Sequence, residues 1–93
     1  MYILICYDIQ NDRSRNRIGE ILLDAGFYRV QKSVFEGVIA ASVLREVQRR
    51  LKPFVQEKDS IRYYRLCGKC WHNVMVQGVD HRAPPNSNSI VTV

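Results

Sequence analysis

The hydrophobic residues at the start of the chain form an almost unbroken run, and polar residues follow it abruptly. Tyr2 to Ile9 is rich in isoleucine and tyrosine and is too short to indicate a helix, so we predict a largely buried first strand. Asp8 lies near its carboxyl end, where a sheet stops covering itself. Its carboxylate is therefore expected to reach solvent and to bind a metal ion there. An aspartate that merely opens a turn is the alternative interpretation.

The next apolar residues repeat with the spacing of a helix. After Arg13 they fall at i, i+3, i+4 and i+7, which places them on one stripe: Ile18, Ile21, Leu22 and Ala25. Asp12 is expected to cap the start of this helix. Gly26 occupies the position of a C-terminal cap, so the helix is predicted to end there.

Further along the chain, the pattern alternates between strands and one more helix. Phe27 to Ile39 is aromatic and β-branched, which predicts two short strands or one long bent strand. A second helix is predicted from about Ala41 to Lys52, because Pro53 cannot continue it. Ile61 to Leu66 is typical of another strand, and Trp71 to Val76 of a short last one.

The resulting order predicts an α+β protein with a ferredoxin-like βαββαβ fold and an extra C-terminal strand. In this fold two helices cover one face of an antiparallel sheet. Sheet residues such as Tyr2, Leu4 and Phe35 are left over for the other face, so we expect a homodimer with two-fold symmetry to cover it. Residues 1–78 form the predicted domain. Residues 79–93 form a polar tail, for which a swap onto a partner or a second protomer is one option.

Net charge and cysteine content indicate which kind of partner the protein binds and in which compartment it is expected. The formal net charge of +5 over 93 residues favours a polyanionic partner such as nucleic acid. No stretch approaches the roughly 20 apolar residues of a membrane span, and no secretory signal pattern is present. The odd count of 3 cysteines fits a reducing compartment. We therefore expect a soluble cytoplasmic protein.

Acidic and basic residues meet where the first strand passes into the first helix. Asp8 and Asp12 lie next to three cations, at Arg13, Arg15 and Arg17. This mixture suits phosphodiester chemistry, since Mg²⁺ commonly takes only one or two protein carboxylates and cations can seat the phosphate backbone. A two-fold axis near Asp8 would supply a second carboxylate. A solvated helix face that neutralises its own charges is the alternative.

Two cysteines near the end of the predicted domain have the spacing of metal ligands. The segment Cys67-Gly68-Lys69-Cys70, with His72 nearby, lacks the second pair that a closed tetrahedral zinc site requires. A thioredoxin-like redox pair is expected at a helix N-terminus after an early strand, whereas this pair is predicted between late strands. We therefore interpret both cysteines as ordinary thiols in a turn.

Several segments together resemble one known family. Tyr7-Asp8-Ile9 ends the first strand, and Asn11-Asp12-Arg13 opens the first helix. After Gly26 comes the block Arg29-Val30-Gln31-Lys32-Ser33-Val34-Phe35-Glu36-Gly37, and Asp59-Ser60-Ile61-Arg62-Tyr63-Tyr64 begins the last strand of the ferredoxin-like core. Over residues 1 to about 77 the chain resembles the CRISPR-associated protein two family.

The resemblance implies a ferredoxin-like homodimer that joins the CRISPR-associated integrase, protein one, to capture foreign DNA as new spacers. It also implies a metal-dependent endonuclease acting on RNA or double-stranded DNA. Asp8 would then bind Mg²⁺, or Mn²⁺ in its place, and would be the catalytic residue. Arg13, Arg17, Arg29 and Phe35 match positions near the dimer cleft. Arg13, Arg15, Arg17 and Arg29 are the candidate nucleic-acid-binding residues.

Two functions from different classes stay open on the sequence. The first is a nuclease centred on paired Asp8 residues, although no obvious general base accompanies them. The second is a non-catalytic scaffold that spans a DNA duplex by its phosphates and holds integrase subunits at a fixed spacing. The scaffold needs only positive charge and symmetry. A toxin-like ribonuclease on the same fold is a third option.

Overall fold

The computed structural model describes residues 1–79, apart from the side chain of residue 71. The helices and strands of this range follow one another as β1 (Tyr2–Asp8), α1 (Asp12–Asp24), β2 (Tyr28–Gln31), β3 (Val34–Val38), α2 (Ala41–Leu51), β4 (Ser60–Leu66) and α3 (Gly68–His72), with a short 3-10 turn (Lys52–Phe54) after α2. The sheet is antiparallel in the order β2-β3-β1-β4. This arrangement confirms the predicted α+β, ferredoxin-like fold.

Strand β1 lies inside the sheet, and its side chains point alternately to the two faces of the sheet. Its odd-numbered side chains Ile3, Ile5 and Tyr7 are buried in the core. They pack with apolar side chains from both long helices, namely Ile18, Ile21, Leu22, Val47 and Leu51. Because successive side chains of a strand point to opposite faces, the even-numbered residues belong to the other face. We call that second face the open face, since α1 and α2 lie on the core side.

The open face is defined by β1 and the strands that pair with it on either side. The cross-strand register places the following residues on it: Tyr2, Leu4, Cys6, Asp8, Val34, Glu36, Val38, Ser60, Arg62, Tyr64 and Leu66. Phe35 is not among them. It pairs with Ile5 and is 0% exposed in the core, so its predicted place on the uncovered face is wrong. The pairing register of β3 determines which face Phe35 occupies, because a shift of one residue moves every side chain of a strand to the opposite face.

Helix α1 begins one residue earlier than predicted. Asn11, rather than Asp12, has the extended backbone of an N-cap, and its side chain accepts a hydrogen bond from the Ser14 N–H at 2.9 Å. Asp12 is the first helical residue, and its carboxylate pairs with Arg15. Asparagine and aspartate are nearly equivalent as caps, so their order in the sequence does not identify which of them performs the role.

Gly26 ends α1, as predicted, in a Schellman motif. Its φ angle is 103°, and its N–H donates to the Leu23 carbonyl at 3.1 Å. The Phe27 N–H donates to the Leu22 carbonyl at 3.0 Å, which completes the motif. The chain then turns sharply enough for Phe27 to enter the core, where it is 3% exposed.

The short strand predicted over residues 71 to 76 is wrong. Gly68–His72 form α3, and no strand follows it up to residue 79. The chain turns immediately after β4, since the Cys70 N–H donates to the Cys67 carbonyl at 3.0 Å. The Asn73 N–H then donates back to the Lys69 carbonyl at 3.1 Å, so this group is not paired with β4. Most of the predicted tail, residues 80–93, lies outside the described range.

Replacing Gly26 with alanine is expected to lower the free energy of unfolding by about 1 kcal/mol, because a side chain strains a backbone with positive φ. No atom lies within 4 Å of the position a Cβ would take, so crowding adds nothing. Gly26→Asn is the matched control and should cost less, since asparagine tolerates this conformation. Urea unfolding measures both variants. An alanine variant as stable as the wild type would contradict the assignment.

Candidate active site

Asp8 is the last residue of β1 and is exposed on the open face. In the register of β1 with β4 it lies opposite Ser60. Within residues 1–79, neither an ion pair nor a hydrogen bond to another side chain occupies the Asp8 carboxylate. Its oxygens are therefore available to a cation or to ordered water.

Asp59 joins the two loops that flank Asp8. One oxygen of its carboxylate accepts from the Gln10 N–H and the other from the Gln56 N–H, each at 2.9 Å. The first bond fixes the chain that leaves β1, and the second fixes the loop that enters β4. The sequence interpretation used Asp59 only as the boundary of a strand. Its position just before a strand was the available signal for a loop-bridging carboxylate.

Arg15 stabilises the chain that follows Asp8 from its position in the first turn of α1. One guanidinium nitrogen donates to the Ile9 carbonyl at 3.0 Å, and another pairs with Asp12. The Arg15 side chain is half-buried. Arg15 thus connects the first turn of α1 to the residue that follows Asp8. Its contacts are those of a positioning residue, while its predicted role in nucleic-acid binding stays a prediction.

Arg13 and Arg17 lie on the solvent side of α1. Arg17 pairs with Glu20 at 3.0 Å in an exposed bond, and Arg13 is exposed without an ion pair to any of residues 1–79. Exposed pairs of this kind contribute little stability, since water and salt screen them. An incoming phosphate can therefore displace Glu20 from Arg17 at small cost.

Arg29 lies on the other side of the sheet from Asp8. Its guanidinium carbon is 5.0 Å from the centroid of the Phe35 ring, a cation–π contact at the sheet's core face. A Cβ at Gly19 would approach an Arg29 guanidinium nitrogen to 2.6 Å, so the glycine leaves room for this side chain. Arg29 and Phe35 are therefore grouped with each other on the core face, and the position near a dimer cleft that the resemblance implies for them stays a prediction.

Tyr7 completes this group beneath the strand end. Its ring stacks on Phe35 with centroids 6.0 Å apart and 23° between the planes. Burial raises the pKa of the Tyr7 phenol, and the positive charges of Arg29 and Arg15 oppose that rise. The phenol therefore stays protonated at neutral pH and is no candidate for a general base.

The open face combines apolar side chains with hydrogen-bonded polar pairs. The Tyr2 hydroxyl donates to a Glu36 carboxylate oxygen at 2.6 Å across diagonal positions of β1 and β3. The Arg62 guanidinium donates to the Tyr64 hydroxyl at 3.1 Å. Val38 is 71% exposed, which is unusual for a strand residue of this type. Val38 and Tyr64, which is 42% exposed, thus put apolar surface of this face in contact with water, whereas Tyr2 is only 3% exposed.

The donors near Asp8 fit a hydrated hard cation better than a closed metal centre. No group of three His, Cys, Asp or Glu side chains comes together within the described part of the chain. One exposed carboxylate suits Mg²⁺, which keeps several waters when proteins bind it. Asp8 is the one predicted metal ligand, and a complete site needs ligands from outside this protomer or from the substrate.

The fold and this site define the class: a small, basic protein with a ferredoxin-like fold and an exposed carboxylate at the end of a strand. The chain belongs to the family of the CRISPR associated protein Cas2, whose model matches residues 1–74. It is 38% identical over 89 residues to the CRISPR-associated endoribonuclease Cas2 3 of Synechocystis sp., covering 95% of this chain and 96% of that one. The predicted family is therefore confirmed.

Other relatives agree along the whole length of the chain and in three dimensions. The CRISPR-associated endoribonuclease Cas2 1 of Chloroflexus aurantiacus is 34% identical over 95 residues, which cover 100% of both chains. The crystal structure of Streptococcus pyogenes Cas2 matches with a TM-score of 0.73 and 30% identity, covering 84% of this chain and 100% of that one. These names agree with the predicted function class, a CRISPR-associated endonuclease. Between residues 1 and 79, every helix is too short or too polar to cross a membrane.

Replacing Asp59 with alanine is expected to lower the free energy of unfolding by about 2 kcal/mol, because two backbone N–H groups lose a charged acceptor. Glu57→Ala is the matched control, since Glu57 is an exposed acidic residue of the same loop. Urea unfolding followed by circular dichroism compares the two variants. If both lose the same stability, the two bonds to Asp59 do not hold the loops together.

Proposed function

We propose that the protein is a homodimeric, metal-dependent endoribonuclease of CRISPR adaptive immunity, with Asp8 as its catalytic metal ligand. The observation that carries this proposal is the Asp8 carboxylate, which is exposed at the strand end and has no ion pair among the described residues. RNA is the favoured substrate because the curated relatives are named endoribonucleases. Double-stranded DNA is the second substrate, as the resemblance implies.

The open face supplies the dimer interface in this proposal. Its exposed apolar residue Val38 and its partly exposed neighbours would be buried against a second copy, and a two-fold interface uses the same surface on both chains. Asp8 lies on that same face. With the two-fold axis near Asp8, two Asp8 carboxylates would approach one another and share one cation.

The chain's own groups divide the work around the bound cation. Mg²⁺, or Mn²⁺, would polarise the scissile phosphate and lower the pKa of a bound water. Asp8 would hold the ion, while Asp59 and Arg15 fix the backbone on either side of Asp8. Exposed Arg13 and Arg17 are placed to bind phosphates of the substrate backbone, which gives affinity without sequence reading.

The dimer also fits a role in spacer acquisition with the CRISPR-associated integrase, protein one. A formal net charge of +5 on each chain supports contact with the phosphates of a DNA duplex. The cysteine content fits the cytoplasm, where invading nucleic acid is met. In this setting the dimer holds the duplex while the integrase performs the joining step.

Replacing Asp8 with asparagine is expected to reduce Mg²⁺-stimulated RNA cleavage at least about a hundredfold, because a neutral amide holds the cation poorly. Asp24→Asn is the matched control, since Asp24 is an exposed aspartate at the far end of α1. Removing divalent ions with a chelator should abolish cleavage by the wild type and by the control alike. The cleavage rate of a labelled single-stranded RNA is the measurement.

Equal cleavage by the wild type and Asp8→Asn would contradict the role of Asp8. If the wild type fails to cleave but both proteins bind duplex DNA with the same steep dependence on salt, the scaffold function replaces the nuclease. Growth arrest on expression that persists in the Asp8 variant would point to a toxin-like ribonuclease that uses other residues.

Replacing Val38 with glutamate is expected to convert the dimer into a monomer, because a buried charge without a partner is costly in an interface. Val43→Glu, on α2, is the matched control, since Val43 is 38% exposed and lies outside the open face. Sedimentation velocity gives the mass of each species. A dimer that survives the Val38 substitution would show that another surface joins the chains.

A further inference from the structure

The last residues of the ferredoxin-like core bring two thiols together. Cys67 follows β4 directly, and Cys70 lies within α3. Their sulfur atoms are 3.1 Å apart, and both residues are exposed. The remaining cysteine, Cys6, is half-buried on β1 and belongs to the open face. The pair is therefore a distinct cluster away from Asp8, at the opposite end of the sheet.

A local backbone hydrogen bond keeps the two cysteines close together. The Cys70 N–H donates to the Cys67 carbonyl at 3.0 Å, so one tight turn holds the two residues. A disulfide requires a sulfur separation of about 2.05 Å. The two sulfur atoms, 3.1 Å apart, are therefore about 1 Å from bonding distance.

The surroundings argue against a closed zinc site for this pair and remove the objection to a redox pair. A closed zinc site requires four ligands, and the structure gathers no third metal-ligating side chain with these thiols in the described range. The pair also does not lie between two late strands, the position that spoke against a redox pair, because α3 follows β4 directly. Two exposed thiols in contact are left, and their shared chemistry is oxidation.

We propose that Cys67 and Cys70 form a redox-active dithiol, which a low-molecular-weight disulfide such as oxidised glutathione converts reversibly into an internal disulfide. The Cys67 thiolate attacks one sulfur of the oxidant, forms a mixed disulfide and releases one thiolate. The Cys70 thiolate then attacks the Cys67 sulfur and releases the second. The protein loses two protons and two electrons, and the oxidant is reduced to two thiols.

The hydrogen bonding between the thiols assigns the order of these two attacks. The bond from the Cys70 side chain lowers the pKa of Cys67, with help from backbone N–H groups of the same turn. The same contact raises the pKa of Cys70. Cys67 is therefore the first to become a thiolate as the pH rises, and the thiolate is the nucleophile.

Oxidation would also fix one wall of an open cavity at this end of the sheet. The cavity has a volume of about 650 Å³, and its lining includes Tyr2, Val38, Leu66 and Cys67. Tyr2, Val38 and Leu66 belong to the open face. A bond from Cys67 to Cys70 holds the β4–α3 turn in one conformation beside that face. The disulfide itself requires neither the nuclease activity nor the dimer.

The test equilibrates the full chain in mixtures of reduced and oxidised glutathione, quenches with acid, and counts reactive thiols by alkylation and mass spectrometry after unfolding. The expected result is the loss of 2 of the 3 thiols with Cys6 left reactive, and their return after treatment with dithiothreitol. Cys70→Ser should accumulate the mixed disulfide at Cys67. Cys6→Ser is the matched control and should still lose both of its thiols.

Retention of all three thiols in the most oxidising mixture would overturn the proposal. So would a disulfide that involves Cys6 or joins two chains. The intact mass and the disulfide-linked peptides of the wild type distinguish an internal Cys67–Cys70 bond from each of these results, so the test holds even if a variant fails to fold. Its outcome is also separate from the nuclease proposal, because no cleavage is measured and Asp8 is unchanged.

Discussion

The alternation of side chains along β1 is the constraint on which the rest of the structure depends. This strand pairs with β3 on one side and β4 on the other, so its register fixes both neighbours. Ile3, Ile5 and Tyr7 are committed to the core. Asp8 must then lie on the open face, where a charge can meet water and ions. A slip of one residue would bury the carboxylate and expose the core.

Polar contacts then fix the end of β1. They come from Asp59 and Arg15, and neither side chain contacts the Asp8 carboxylate. Asp59 binds the N–H groups of two loops, and Arg15 binds the Ile9 carbonyl. These bonds fix the backbone around Asp8 while its own oxygens stay available. The backbone on both sides of Asp8 is thus fixed by contacts that leave its carboxylate open to a cation or to water.

Much of the fold was predictable because it follows from local patterns. The helical stripe ending at Gly26 and the alternation of β1 are strong signals, and both are confirmed. The prediction failed where contacts between distant parts of the chain determine the structure. The face that Phe35 occupies depends on the register of β3, and the fate of residues 71 to 76 depends on a tight turn after β4. Apolar content alone gives no signal for either.

The candidate site was predictable in part for the same reason. Asp8 could be placed at a strand end from the sequence, whereas Arg29 could not be separated from it without the sheet's geometry. Asp59 was missed because its two partners lie in different loops, one of them far away in the chain. A contact between distant backbone groups leaves no periodic pattern in the sequence.

Titration of the purified protein with Mn²⁺, followed by isothermal calorimetry, tests the central claim most directly. The account predicts one bound ion for every two chains, because two Asp8 carboxylates would share it across the proposed dimer axis. Binding at this site should disappear in Asp8→Asn and persist in Asp24→Asn. Unchanged Mn²⁺ binding by the Asp8 variant would contradict the assignment of Asp8 as the metal ligand.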